Sequence, residues 1–279
     1  MWVWSKLSAA KWEETWEERF HGNPNAVLSR LNGGKSVRVE IYCDQENDAI
    51  RIAEQFGGSV SKLEEKNWMA LTARPGPPIK IRGNLLVTEE VSPSGLRELT
   101  RLHEGRAVVS IPPEMAFGTG DHPTTASCLR FLADEAKARE GSAWRMLDLG
   151  CGSGVLAIAA SLLGAEECEA LDYDTRAVAV ARANVERNDA RGVRVEEEDL
   201  LQWTPERKYE VVVANLFADI LKASFGKIRS TVGPGGAFIL SGVLQEQWDE
   251  TEAEARKAGL ILEEVKRKGK WVSAKGGVG

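Results

Sequence analysis

A closely spaced glycine run is the strongest chemical signal in this 279-residue sequence. An apolar segment leads into Asp148-Leu149-Gly150-Cys151-Gly152-Ser153-Gly154, and an apolar helix pattern follows directly. Glycine at every second position lets the backbone turn sharply and approach a ligand with no Cβ in the way. The N-terminus of the following helix offers free N–H groups to a carboxylate. The spacing is tighter than the G-x-G-x-x-G of dinucleotide sites, and Asp148 is placed to orient the loop or to meet a cationic amino group.

Acidic residues end the next two predicted strands. Asp172 lies about twenty residues beyond Gly150, where an acid typically accepts hydrogen bonds from ribose hydroxyls. Asp199 follows the third strand, where the edge of an adenine would lie. Alternatively, Asp172 and Asp174 cap the next helix and Asp199 caps a turn. The glycine loop and both acids, taken together, predict a site for a nucleotide-type cofactor.

The elements that must position these residues alternate between apolar strands and long helices after residue 104, which is typical of βαβ units. Strands are predicted over residues 145–149, 168–172, 192–197, 209–214, 236–241, 260–266 and 270–274. Helices are predicted over residues 124–139, 154–163, 175–188, 217–231 and 245–258. The last two strands can pair as a hairpin around Gly269. The sequence therefore predicts an α/β fold with a Rossmann-like, seven-stranded, doubly wound sheet whose last strand is antiparallel.

The N-terminal part has a different pattern, which predicts a small α/β domain. Trp12, Trp16 and Phe20 recur every four residues and predict an amphipathic helix over 8–20, with a packing face rather than a binding site. The remaining elements predicted here are a strand over 36–42, a helix over 46–56, and strands near Val60 and over 68–72.

A proline- and glycine-rich stretch, residues 73–78, separates the two patterns and is the predicted hinge. Strand patterns follow at 79–82 and 84–87. We therefore divide the chain into an N-terminal α/β domain (1–72), a linker (73–103) and a larger α/β domain (104–279).

Three further segments have a recognisable pattern: residues 116–125 (AFGTGDHPTT), residues 212–218 (VVANLFA) and residues 63–68 (LEEKNW). With the glycine loop, they make the sequence resemble class I methyltransferases that use S-adenosylmethionine (SAM), and within them the ribosomal protein L11 methyltransferase family (PrmA). The first segment resembles the hallmark segment of that family, the second its VVANILA segment, and the third the acidic-Lys-acidic-Trp entry of its linker. The resemblance implies that residues 1–72 are a substrate-recognition domain and residues 104–279 a SAM-dependent methyltransferase domain.

The resemblance covers about residues 60–279 and thins over residues 1–60, where the family has a ferredoxin-like domain that binds the ribosomal protein. In this chain the N-terminal region is predicted to be shorter and to begin with a helix. A second departure is Asp121, where the family usually has Thr.

The resemblance implies that SAM contacts Thr125, Gly150, Asp172 and Asn215. The whole predicted cofactor site comprises Phe117, Thr119, Thr125, Asp148, Gly150, Gly152, Gly154, Asp172, Asp199 and Asn215. Local roles remain open for several of them: Thr125 can satisfy its own backbone, Asn215 can be a turn residue at a strand end, and Phe117 can simply pack within its loop. His122, next to Pro123, suits a capping or packing role as well as that of a base.

The function that the resemblance implies is N-methylation of lysine side chains, the α-amine or both, on a ribosomal large-subunit protein. Methyl transfer requires the nucleophile, methyl carbon and sulfur to be held in line. Lysine, with a pKa of about 10.4, must lose its proton, which desolvation beside the SAM cation favours. Asn215, with the adjoining backbone, is predicted to position the amine and is the one catalytic residue that we nominate; no general base is evident.

Three alternatives stay open at this point. The acceptor could be another protein lysine or a small molecule. The protein could bind SAM without catalysis. A nicotinamide-dependent oxidoreductase is a third possibility, against which the missing G-x-G-x-x-G argues.

Composition and charge exclude some partners. A net charge of −6 and a pI of about 5.4 argue against direct nucleic-acid binding. No run of about twenty apolar residues and no signal-peptide pattern at residues 1–6 is present. The four cysteines have no C-x-x-C or metal-ligand spacing, so we expect no metal site. We expect a cytoplasmic protein that acts as a monomer and has no membrane partner.

Overall fold

The computed structural model describes residues 2–20, 23, 25–30, 35–62, 76–113 and 122–279. The chain divides into two compact units, Met1–Arg74 and Pro75–Gly279, which are considered one at a time.

In its described residues, the N-terminal unit is a four-stranded antiparallel sheet with two α-helices and one short helical turn. Its elements are β1 (Trp2–Ala9), α1 (Glu13–Arg19), β2 (Ala26–Arg30), β3 (Ser36–Cys43), α2 (Glu46–Phe56) and β4 (Ser59–Lys62). The strand order is β2-β3-β1-β4, with every pair antiparallel. This βαββαβ arrangement is the ferredoxin-like motif.

The predicted helix over 8–20 was wrong at its start. All eight residues of β1 pair with β3, a helix of one turn occupies Ala10–Trp12, and α1 begins only at Glu13. The region is therefore not helix-first. The predicted strand over 36–42, the helix over 46–56 and the strand near Val60 are confirmed, whereas residues 68–72 lie outside the described part of the chain.

An aromatic cluster forms the core of this unit. Trp4, Trp16, Phe20 and Phe56 have ring centroids 5.7–6.2 Å apart in every pairing. The predicted packing role of Trp16 and Phe20 is therefore confirmed. Trp12, the third residue of that pattern, is exposed instead, because it lies in the turn before α1.

The larger unit contains the remaining elements. They are β5 (Ile79–Ile81), β6 (Leu85–Thr88), α3 (Pro93–Leu102), β7 (Ala107–Ser110), α4 (Pro123–Ala138), β8 (Arg145–Leu149), α5 (Val155–Leu162), β9 (Glu167–Asp172), α6 (Thr175–Arg187), β10 (Val193–Glu197), β11 (Tyr209–Asn215), α7 (Ala218–Thr231), β12 (Val232–Leu244), α8 (Gln245–Lys257), β13 (Leu260–Lys268) and β14 (Trp271–Val278).

The seven-stranded sheet of this unit has the order β10-β9-β8-β11-β12-β14-β13. Its neighbours are parallel except β14, which is antiparallel to both β12 and β13. The predicted doubly wound sheet with an antiparallel last strand is confirmed. The strand order reverses between β8 and β11, and open α/β sheets bind ligands at the carboxyl ends of strands beside such a switch point.

Residues 79–103, predicted as part of a linker, are folded into the larger unit. Strands β5 and β6 form a three-stranded sheet with β7. Ile81, Leu85 and Val87 are fully buried in the same core cluster as Leu129 and Phe131 of α4. The sequence analysis missed α3 and β7: α3 has no buried residue, and β7 is only four residues long and is defined by its pairing with β6. None of the described helices is both long and apolar enough to cross a membrane.

Candidate functional site

The glycine loop follows β8 at the carboxyl edge of the sheet and has a backbone that favours glycine throughout. Gly150, Gly152 and Gly154 have φ angles of 75°, 54° and 77°. A Cβ on Gly150 would lie 2.3 Å from Cδ2 of Leu216. The N–H groups of Gly150 and Cys151 donate to the Leu171 carbonyl at 2.8 and 2.9 Å, which ties the loop to β9. The predicted side-chain-free loop is therefore present in the larger unit.

Asp172 ends β9 directly beside this loop. Its Oδ2 accepts a 2.8 Å hydrogen bond from the N–H of Gly152, and its Oδ1 accepts one of 3.0 Å from Asp174 N–H. Each carboxylate oxygen still has a second acceptor position, which leaves capacity for ribose hydroxyls. The helix-capping role belongs to Asp174, whose side chain accepts from Arg176 N–H at the start of α6.

Asp148, near the end of β8, is completely buried. Neither of its carboxylate oxygens has a hydrogen-bond partner among the described residues. Burial first, and the charge of Asp172 second, raise the pKa of Asp148 to about 7. The backbone N–H of Ala157 partly opposes this rise, although it does not meet the geometry of a hydrogen bond to the carboxylate. A cation placed against this carboxyl would favour its ionised form. The side chain therefore suits the cationic amino group proposed from the sequence.

Thr125 and Asn215 also present unpartnered oxygens. Thr125 lies in the first turn of α4 and is 1% exposed, and Asn215 ends β11. Among the described residues, five buried side-chain oxygens have no hydrogen-bond partner, and four of them belong to Thr125, Asp148 and Asn215. Leaving such a group unpaired costs about 1–3 kcal/mol, and native proteins do so rarely. Three predicted site residues thus have the polar atoms that a bound SAM molecule would engage.

The structure does not bear on every predicted site residue in the same way. Both carboxylate oxygens of Asp199 accept hydrogen bonds within its own turn, from Leu201 N–H at 2.9 Å and Gln202 Nε2 at 2.7 Å. This is the turn role weighed above, and the adenine contact stays a prediction. Phe117 and Thr119 lie outside the described residues, as does Asp121.

His122 has the capping role that the sequence left open. It is the N-cap of α4, and its Nδ1 accepts from Thr124 N–H and lies 2.7 Å from Thr124 Oγ1. The ring also packs edge-on against Trp271, with centroids 5.1 Å apart.

The sequence analysis missed the residues that hold the segment after β11. Leu216 donates its N–H to the Ser241 carbonyl at 3.0 Å. Gly242 has a φ of 89°, and a Cβ there would lie 2.3 Å from the Leu216 carbonyl oxygen. The only available signal was a Ser-Gly pair after an apolar run. Asn215 is thus followed by a residue packed between Gly150 and Gly242.

Asn184 was also missed. It is completely buried on α6, and its Nδ2 donates to the Ser153 carbonyl of the glycine loop at 3.0 Å. An isolated Asn in a helix pattern gives no sequence signal of such a contact. Within the described residues, no group of three or more His, Cys, Asp or Glu side chains is arranged to hold a metal ion.

Comparison with known proteins gives one consistent family. The sequence model of the family described as "Ribosomal protein L11 methyltransferase (PrmA)" matches residues 25–277. A ribosomal protein L11 methyltransferase of Chromobacterium violaceum is 37% identical over 258 residues, which cover 86% of this chain and 80% of the relative. One of Ralstonia nicotianae is 34% identical over 247 residues, covering 85% of this chain and 78% of the relative.

A crystal structure described as a ribosomal protein L11 methylase of Lactobacillus delbrueckii subsp. bulgaricus superposes with a TM-score of 0.60. It is 24% identical and covers 71% of this chain and 96% of that chain. At this identity the likeness shows the fold. The family match begins at residue 25, inside the N-terminal unit. It therefore extends further toward the N-terminus than the resemblance described above, which begins at about residue 60.

Proposed function

Because the chain belongs to the ribosomal protein L11 methyltransferase family, we propose that it is the enzyme that methylates ribosomal protein L11, at lysine side chains, the α-amine or both. It is a SAM-dependent methyltransferase, so the nicotinamide alternative is excluded. The observation that carries the proposal is the set of buried, unpartnered oxygens of Thr125, Asp148 and Asn215 in a family whose cofactor is SAM.

The glycine loop and the polar residues near the strand ends of the large sheet fit SAM. The glycine loop leaves backbone room for the cofactor, and Asp172 has free acceptor positions for ribose hydroxyls. Asp148 and Thr125 offer unpartnered oxygens to the methionine end, and Asp199 meets the adenine. When bound, SAM supplies a methyl group already activated on a sulfonium. The protein therefore needs no metal for this reaction; its contribution is to hold the reacting groups in line.

Asn215 acts on the acceptor side of the site. Its Oδ1 accepts a hydrogen bond from the acceptor amine and points the nitrogen lone pair along the line of attack, and Leu216 keeps the segment in place. Removal of the amine from water favours its neutral form. The nitrogen that has received the methyl group would be left protonated and would release this proton to solvent.

The N-terminal unit has the separate task of recognising the ribosomal protein. This role is supported by the βαββαβ motif of the described residues, which has its own aromatic core. The unit can therefore present a stable surface to a protein partner. We place this recognition domain at residues 1–72 and the methyltransferase domain at 104–279. Residues 73–103 join them and contain β5, β6 and α3. We further propose that the protein acts as a cytoplasmic monomer.

The test is methylation of purified L11 with tritiated SAM, followed by mass spectrometry of the product. We expect label in L11 with the wild-type protein and a labelling rate about a hundredfold lower with Asn215→Ala. A protein that binds SAM but labels a different ribosomal protein, or labels nothing, would contradict the proposal. The first result would favour another acceptor, and the second a SAM-binding protein without catalysis.

A further inference from the structure

Two aromatic side chains are unusually exposed at the edge of the sheet that carries the site. Among the described large apolar side chains, Tyr173 at 79% and Phe217 at 76% are the most exposed. Tyr173 directly follows Asp172 at the end of β9, and Phe217 comes two residues after Asn215 at the end of β11. Single exposed apolar residues are common. These two are notable because each one lies within two residues of the end of a strand whose last residue is a predicted site residue.

The order of the strands places the two aromatic residues on opposite sides of β8 and its glycine loop. Strand β8, which leads into the glycine loop, lies between β9 and β11, so the ends of those two strands are about 10 Å apart. The glycine loop and Asp172 are joined by hydrogen bonds on the β9 side. The β11 side, with Asn215 and Phe217, is left for the acceptor.

The backbone that carries Phe217 is fixed on both sides. Before it, Leu216 is packed between Gly150 and Gly242, at contacts too close to admit a Cβ on either glycine. After it, the Phe217 carbonyl accepts from Leu221 N–H at 3.0 Å and begins α7, of which Phe217 is the N-cap. The Cα of Phe217 is therefore held at a constant distance from Asn215, and a recognition residue needs such a rigid support.

We propose that Phe217 is a specificity-determining residue that selects lysine side chains over the α-amine as methyl acceptor. The inference rests on the proposed function. A lysine amine is carried on four methylene groups, which can pack against an aromatic ring, and its nitrogen is attracted to the ring face when cationic. An α-amine is attached directly to the backbone and has no such stem. A ring close to the amine-positioning Asn215 therefore binds the first acceptor and contributes little to the second.

The experiment compares two peptide acceptors in the full-length protein. One peptide contains lysine and has an acetylated N-terminus; the other has a free α-amine and no lysine. For Phe217→Ala, we expect the KM for the lysine peptide to rise about tenfold. The KM for the α-amine peptide and the affinity for SAM, measured by calorimetry, should change less than about twofold. Phe217→Tyr should restore the wild-type KM for lysine.

A matched control is Ile261→Ala, which removes an exposed apolar side chain near the start of β13, at the opposite edge of the sheet. It should change none of these constants. An unchanged KM for lysine in Phe217→Ala, or an equal loss for both peptides, would overturn the proposal. Wild-type protein that methylates lysine peptides but not L11 would contradict only the proposed function. Wild-type protein that methylates only the α-amine of L11 would overturn only the role of Phe217, and one that methylates no amine would contradict both.

Discussion

Two groups of polar side chains lie along the same edge of the large sheet and differ in one respect. Asp172 and Asp199 have both carboxylate oxygens bonded within the protein. Thr125, Asp148 and Asn215 have buried oxygens without partners. The first group helps to hold the edge in shape before any ligand arrives. The second group lowers the stability of the free protein, and a ligand can relieve that cost, as expected of residues kept for function.

Asp148→Asn should separate the two groups most clearly. The folded carboxyl keeps its proton up to a pH of about 7, against 3.8 for a solvated one, so between those values the folded state binds more protons than the unfolded chain. Stability of the wild-type protein therefore falls as pH rises through this window. Asn cannot ionise, so the free energy of unfolding of the variant should rise relative to that of the wild type as pH increases. The difference should reach about 4 kcal/mol above pH 7.

Urea unfolding of both proteins at several pH values from about 4 to 8 measures this difference. The control is Asp249→Asn, which makes the same exchange at an exposed carboxyl on α8 and so accounts for the loss of one carboxyl group from the chain. Parallel curves for Asp148→Asn and the wild type would mean that Asp148 is partnered in solution and belongs to the first group.

Asn215→Ala should reduce kcat about a hundredfold by misplacing the acceptor. Its thermal stability should stay the same or rise, because the change removes an unpaired buried oxygen. Asn188→Ala provides the opposite pattern: Asn188 exchanges two hydrogen bonds with the backbone of Ser110, at 2.7 and 2.8 Å. That variant should lose about 1–2 kcal/mol of stability and keep its kcat. If Asn215→Ala unfolded more easily and kept its turnover, Asn215 would be a structural residue.

Asp172→Ala should lose both folding stability and affinity for SAM. Gly152 and Asp174 would lose the acceptor for their N–H groups, which costs about 1–3 kcal/mol of folding stability. SAM affinity, measured by calorimetry, should fall about 10- to 100-fold. Asp174→Ala is the matched control: it removes only the cap of α6, for about 1 kcal/mol, and should leave SAM affinity unchanged. An Asp172→Ala protein that binds SAM normally would contradict the ribose contact.

The sequence predicted the larger unit well because its signals are local. Strand β8 lies at the predicted residues 145–149, since an apolar run there ends at a glycine loop. By contrast, β1 was missed because its partner β3 lies some thirty residues away, and the nearby Trp16 and Phe20 spacing favoured extending the helix backwards. Site residues could be named by type and spacing, but which oxygens remain unpartnered depends on contacts between distant segments. The packing of Leu216 against Gly150 and Gly242 likewise depends on contacts between distant segments and could not be predicted from local patterns.

Asp199→Ala should have the smallest effect and tests whether a partnered side chain can also bind the cofactor. Asp199 is exposed, and both of its oxygens already serve a turn, so one further hydrogen bond to adenine adds little. We expect SAM affinity to fall about two- to fivefold. Gln202→Ala removes a turn hydrogen bond to Asp199 and keeps the carboxylate, so it should leave SAM affinity unchanged. Equal affinity losses in the two variants would show that the turn alone matters, whereas a loss as large as that of Asp172→Ala would place Asp199 among the principal cofactor contacts despite its internal partners.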